Sequence, residues 1–220
     1  MTQVHEYNVV IPEAARLASL MGVKADLERV LAYAERMFER WSGPHLAKSP
    51  FDIVGFSTEV DFDEWEALST AAAVAYGRCF MSGVRQELPE DDVKLGTTEI
   101  IATHEFLMAY RNKHVAHSVN PFEQNTVTVQ IADTFATASE IESVTPSHTR
   151  QTGLAFDELP RVRDLANWWL ARVSADISGE TIRIRDILRK MSLDEIKAAG
   201  GPPLRQIDQK RDVRTRRRTL

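Results

Sequence analysis

Residues 111–118 read Arg-Asn-Lys-His-Val-Ala-His-Ser and bring together the side chains of this chain best suited to chemistry. Imidazole groups exchange protons near neutral pH, and a guanidinium group carries a fixed positive charge that binds anions. The pattern is unusual because these polar groups stand where a helix would ordinarily place apolar side chains. The segment therefore predicts a functional site, and its position depends on the helix that carries it.

That helix is predicted to run from Thr97 to about Val119. Thr97 and Thr98 offer N-cap hydroxyls, and Glu99 suits the positive end of a helix. Apolar residues then recur at helical spacing: Ile100, Ile101, Phe106, Leu107, Met108, Tyr110 and Val115. Pro121 disfavours helical dihedrals in the residue before it, so His117 is expected in the last turn.

At about 100° per residue, Arg111 and His104 fall near the middle of the apolar face, with His114 at its edge. Burial of an unpaired guanidinium is costly, so Arg111 is expected in a cleft, an ion pair or a subunit interface. His117 lies about 120° around the helix from Arg111. Two copies of the chain facing each other would bring these two side chains together.

The composition favours one globular domain. The chain has 220 residues, of which 43% are apolar and 27% charged, enough for one sizeable core. No apolar stretch reaches the length of a membrane span, and the start does not resemble a signal peptide, so a cytosolic location is expected. Cys79, the single cysteine, is predicted to be a packed and inert thiol.

The charge is distributed unevenly. The net charge is −5, but residues 205–220 contain seven basic and two acidic side chains, which gives this tail +5 and leaves −10 for the rest. A basic tail attracts polyanions such as RNA, and it equally suits association with the acidic body of its own chain. Both interpretations remain open from the sequence.

The apolar periodicity predicts a mainly α fold, an antiparallel helical bundle with a small inserted β-hairpin. One helix follows a stripe from Val23 to Trp41, and a second runs from Asp61 or Asp63 to about Val84. Further elements are a hairpin insert at about 125–149, a helix after Pro160 that continues towards 190, and a short helix at 192–199. The prediction is one domain over 1–200, with its core at about 23–190 and a basic tail at 201–220.

Several familiar sites are missing from the sequence. It has no glycine-rich phosphate loop and no Glu-x-x-His motif of di-iron bundles. His104-Glu105 opens a zinc-protease pattern, but Met108 stands where the second histidine ligand would be. His114 and His117 lack a clear third ligand, so neither a metal nor a cofactor is expected.

The order Arg111, Asn112, four residues and then His117, late in a helix of a helical domain, resembles the signature of the HEPN superfamily. The preceding helix contributes Tyr76-Gly77-Arg78-Cys79-Phe80, and with it the chain looks most like the abortive-infection branch. The resemblance extends over about 23–190. Only the helix with Arg111 and His117 carries specific residues.

The resemblance implies a dimeric helical bundle that acts as a metal-independent endoribonuclease in phage defence or a toxin system. It implies that Arg111 and His117 of two protomers line one composite catalytic cleft, with Asn112 positioning the phosphate or the imidazole. His104, Lys113 and His114 are candidates for supporting or substrate-binding roles. RNA, a second copy of the chain and a protein antitoxin or regulator are the implied partners. Val119 stands where a toxin subgroup has a modified tyrosine, so regulation through that position is not expected.

A second hypothesis is a non-catalytic HEPN-like binding or dimerisation module. In that case Arg111 would pair with a carboxylate such as Glu66 or Asp164, and the histidines would be satisfied core or surface residues.

Overall fold

A computed structural model describes residues 8–41, 62–81, 83, 85–115, 123–131, 141–150 and 153–200. Its α-helices are α1 (Ala15–Trp41), α2 (Phe62–Gly77), α3 (Thr98–Ala109), α4 (Leu159–Leu188) and α5 (Leu193–Ala198). Strands β1 (Glu123–Ile131) and β2 (Ile141–Arg150) form an antiparallel hairpin. Short 3-10 turns cover Pro12–Ala14, Glu90–Leu95 and Phe156–Glu158. The predicted mainly α fold with an inserted hairpin is confirmed.

The core lies where α1 packs against α2 and α4, with α3 packed on α2 and α4. Spacings of three and four residues place the buried side chains of α1 on one face: Leu20, Val23, Leu27, Val30, Ala34 and Met37. The matching face of α4 presents Val162, Leu165, Ala166, Trp169 and Val173. Two long amphipathic stripes therefore form the main packing interface of the bundle.

The chain after the hairpin is tied to α2 by hydrogen bonds. The indole N–H of Trp65 donates to the carbonyl oxygen of Leu154 at 3.0 Å, and the backbone N–H of Leu154 donates to Ser69 Oγ at 3.1 Å. Leu154 is itself buried. These contacts return the chain to the bundle before α4 begins at Leu159, close to the start predicted from Pro160.

Two predicted helix boundaries in the bundle need correction. α1 begins at Ala15, earlier than the stripe from Val23 suggested, and Leu20 in the added turns is buried with that stripe. α2 ends at Gly77 rather than near Val84. Cys79 and Phe80 lie in the turn after it and are still buried in the core, so apolar periodicity alone extended the helix too far.

None of the helices within the described residues is long and apolar enough to cross a membrane. The predicted tail at 201–220 lies outside the described residues.

Candidate functional site

The third correction concerns the helix that carries the candidate site. Thr97 caps α3 as predicted, since its hydroxyl accepts a hydrogen bond from the N–H of Ile100 at 3.3 Å. The α-helix ends at Ala109, however, and Tyr110–Val115 form a π-helical turn. A π turn closes i→i+5 hydrogen bonds and so holds more residues than an α turn. The prediction of one α-helix to Val119, and the 120° angle derived from it, are therefore not valid beyond Tyr110.

The side chain of Arg111 lies against the carboxyl end of α2. A Cβ atom built on Gly77 would stand 3.2 Å from both Cγ and Cδ of Arg111 and 3.3 Å from its Nε. Ordinary contacts of a Cβ atom are longer than this. Glycine at position 77 therefore lets the arginine stem lie flat across the end of the helix.

The guanidinium of Arg111 is held by the next residue in the chain. Its Nη1 donates a hydrogen bond to Oδ1 of Asn112 at 2.8 Å. Within the described residues no carboxylate forms an ion pair with Arg111, and Asp164 instead pairs with Arg163 at 3.4 Å. An ion pair of Arg111 with a carboxylate such as Glu66 or Asp164, which the second hypothesis expects, is not seen in the described part of the chain.

The structure describes some of the remaining motif residues but not all of them. Asn112 and Lys113 are exposed at the surface beside Arg111. For His114 only the backbone, within the π-helical turn, is described. His117 lies outside the described residues, so its predicted position in a last helical turn stays a prediction.

His104 is a buried member of the core. Only 3% of it is exposed, its Nδ1 lies 2.6 Å from the hydroxyl oxygen of Tyr76, and its Nε2 lies 3.3 Å from Oε1 of Glu90. The rings of Tyr76 and Phe80 contact its imidazole edge to face. Packing and hydrogen bonding therefore account for His104 without a substrate.

The hydrogen bonds around His104 have one consistent direction. Trp169 Nε1 is a donor only, and it donates to the hydroxyl oxygen of Tyr76 at 3.2 Å. The Tyr76 hydroxyl is then free to donate to Nδ1 of His104, which leaves the proton on Nε2 to face the carboxylate of Glu90. Burial raises the pKa of Tyr76 far above its ordinary value, against a smaller lowering by the Trp169 hydrogen bond. The hydroxyl therefore remains a proton donor throughout the physiological range.

Two residues important to this arrangement were not predicted as site residues. Tyr76 orients His104, and Gly77 makes room for Arg111. Both stand in the segment Tyr76-Gly77-Arg78-Cys79-Phe80 that carries part of the family resemblance, but a single sequence does not show what they face.

Cys79 is fully buried, as predicted, and burial raises its pKa to about 12. A thiol in this state is neither nucleophilic nor a ready metal ligand. In the described part of the chain, no three histidine, cysteine, aspartate or glutamate side chains gather as a metal site would require.

A groove of about 520 Å³ runs between α3 and the start of α4, lined by Thr98, Glu99, Ala102, Thr103, Phe106, Glu158 and Arg161. Desolvation raises the pKa of Glu158 beside it, partly offset by a hydrogen bond from the backbone N–H of Ala155. Arg111 does not line this groove. Arg111 is half-buried against Gly77 at the end of α2 instead.

Compared with protein-family models, with curated proteins and with solved structures, the chain shows no match. The motif and the geometry around it are therefore the features of the chain that point to a function.

Proposed function

We propose that this protein is a HEPN-like, metal-independent endoribonuclease of a phage-defence or toxin type. It acts in the cytosol as a homodimer in which Arg111 of one protomer and His117 of the other complete each catalytic cleft. RNA is its substrate, and a protein antitoxin or regulator is a further expected partner.

One observation carries the proposal: the guanidinium of Arg111 lies at the surface, oriented by Asn112 and Gly77 and paired with no described carboxylate. A structural arginine that spans a core is usually neutralised by an acidic partner. An oriented guanidinium without one suits an anionic ligand, and its fork of N–H donors matches the oxygens of a phosphate. The π-helical turn agrees with this role, because such turns often occur at functional sites.

The proposed reaction is transesterification within RNA. The ribose 2′-oxygen attacks the adjacent phosphorus while its proton passes to a base, the bond to the 5′-oxygen breaks, and the leaving oxygen takes up a proton. Arg111 stabilises the negative charge that grows on the phosphorane. His117 supplies the proton to the leaving oxygen or contacts the phosphate, as an imidazole that titrates near neutral pH is suited to do.

The test is cleavage of single-stranded RNA by purified protein in the presence of EDTA. The expected products end in 2′,3′-cyclic phosphate, and Arg111→Ala and His117→Ala each abolish cleavage. Arg163→Ala is the matched control, because the Arg163 guanidinium also contacts the side chain of the next residue, Asp164. This control should cleave like the wild type.

Equal degradation by the wild type and both motif variants would identify a contaminating nuclease and contradict the proposal. No cleavage by any preparation, together with a stable dimer or a captured protein partner, would favour the non-catalytic module instead.

A further inference from the structure

Near the carboxyl end of α2, where it faces α1, three arginines surround one buried carboxylate. Asp26 of α1 is 2% exposed. Its Oδ2 lies 2.7 Å from Nη2 of Arg85 and 3.5 Å from Nε of Arg78, and its Oδ1 lies 3.4 Å from Nη1 of Arg29. We call these four residues the Asp26 cluster.

Arg85 alone is enough to neutralise the buried negative charge of Asp26. It makes the shortest of the three contacts, and it also donates from Nη2 to the backbone carbonyl of Arg78 at 3.0 Å. A Cβ atom built on Gly22 would lie 2.9 Å from Cδ and Nη1 of Arg85, so the arginine is packed closely on α1. One such guanidinium balances the charge of one buried carboxylate.

The other two arginines are a surplus of positive charge. The side chains of Arg29 and Arg78 are 59% and 55% exposed, and their contacts with Asp26 are long. Exposed pairs of this kind contribute little free energy, so an incoming anion displaces or shares them at small cost. The cluster as a whole carries two net positive charges on a chain whose residues 1–204 are strongly acidic.

The cluster and the candidate site meet at one end of α2. Gly77 lies under Arg111, and Arg78, the next residue, points to Asp26. Guanidinium groups thus stand on two sides of the same helix end, where the negative pole of the helix dipole also favours cations.

We infer that Arg29 and Arg78, oriented by Asp26 and Arg85, bind backbone phosphates of a single RNA strand on its way to Arg111. The choice of RNA as the ligand rests on the proposed function, whereas the phosphate chemistry rests on the cluster itself. The cluster binds substrate and takes no part in the reaction.

The experiment measures the affinity of a fluorescent 2′-O-methyl oligouridylate over a range of salt concentrations. This strand carries the phosphates of RNA but lacks the attacking 2′-hydroxyl. Arg29→Gln combined with Arg78→Gln should weaken binding at least about tenfold and lower the slope of log affinity against log salt by roughly 0.7 per arginine. Each single replacement should give about half of the change in slope.

The matched control is Arg185→Gln combined with Arg189→Gln. These two arginines share Asp186 on α4 at 3.9 and 3.7 Å, so the control removes the same charge from a similar arrangement elsewhere. Both double variants should melt like the wild type, because Arg85 remains on Asp26. Wild-type binding by the Arg29/Arg78 variant, an equal loss in the control, or no binding of RNA by the wild type would overturn the inference.

Failure of the proposed function gives a different result. In that case RNA is not cleaved, or Arg111→Ala cleaves normally, while the strand that cannot be cleaved still binds and still depends on Arg29 and Arg78.

Discussion

Consecutive residues at the end of α2 contact different parts of the protein. Tyr76 turns inward to His104, Gly77 lies under Arg111, and Arg78 turns to Asp26. Cys79 returns to the core. Side chains of successive residues diverge on a helix, so a few positions connect the core, the candidate site and the Asp26 cluster. Substitutions here separate folding from function residue by residue.

Replacement of Gly77 by alanine should impair the candidate site while the fold remains. The new Cβ atom would press on the stem of Arg111 at 3.2 Å and displace its guanidinium. A displacement of the guanidinium by a few tenths of an ångström is expected to lower the rate of RNA cleavage about tenfold, since misplacement by about 1 Å can cost a hundredfold. The measurement is single-turnover cleavage, with Gly179→Ala as the control because a Cβ there meets no atom within 4 Å. Equal rates for both variants would show that Gly77 does not position Arg111.

Tyr76→Phe should lower the stability of the fold without acting on the catalytic chemistry. It leaves Nδ1 of His104 and Nε1 of Trp169 without their partner inside the core. An unsatisfied buried polar group costs a few kcal/mol, so the free energy of unfolding should fall by about 2 kcal/mol or more. Urea denaturation measures it, and Tyr33→Phe on the half-buried face of α1 should change it by less than about 0.5 kcal/mol. A catalytic role for the Tyr76–His104 pair would appear as a loss of cleavage under conditions where the variant is folded.

At the scale of elements, the sequence predicted α3 by its cap and its apolar spacing but not the π-helical turn that follows. Under α-helical geometry Arg111 continues the stripe of His104 and Leu107 into the core. The wider turn slows the rotation of later residues about the axis, and Arg111 is half-buried against Gly77. Hydrophobic periodicity reports an average repeat, so it does not reveal one turn that departs from it.

The long helix α4 gives a prediction of its own. Gly179 stands exposed in its interior, where glycine is less favourable than alanine by about 1 kcal/mol. Gly179→Ala should therefore raise the free energy of unfolding by about 0.5 to 1 kcal/mol. Gly153→Ala is the contrasting control, because a Cβ there would overlap Cδ1 of Trp65 and should destabilise the protein. Thermal unfolding of both variants measures the two effects, and a destabilised Gly179→Ala would show that α4 is not a continuous helix there.

At the scale of the whole molecule, a composite site predicts complementation between inactive chains. Arg111→Ala and His117→Ala homodimers should both be inactive. Exchange of subunits forms heterodimers in which one of the two symmetric sites keeps both residues, so the mixture should recover part of the wild-type rate. Cleavage assays before and after mixing measure this recovery. Its absence, with exchange shown by differently tagged chains, would place both residues in one protomer.

The basic tail gives a second prediction at this scale. Deletion of residues 205–220 removes five net positive charges. Binding of the 2′-O-methyl strand should weaken, and its dependence on salt should flatten. Unchanged affinity across salt concentrations would mean that the tail does not contact RNA. The tail and the Asp26 cluster contribute different charged residues, so the two losses should add.

The sequence alone proposed Arg111, Asn112 and His117 for the candidate site and correctly predicted the mainly helical fold, the inserted hairpin and the buried thiol. These properties follow from local patterns, since apolar spacing, caps and turn residues act over a few neighbouring positions. Three contacts depended on packing and were not predicted: Arg111 lies on Gly77 without an acidic partner in the described chain, His104 belongs to the core, and Arg29 and Arg78 share one aspartate with Arg85. Apart from the pair of Arg29 and Asp26, which are three residues apart on α1, these contacts join residues far apart in sequence, and the packing of α1, α2 and α3 brings them together.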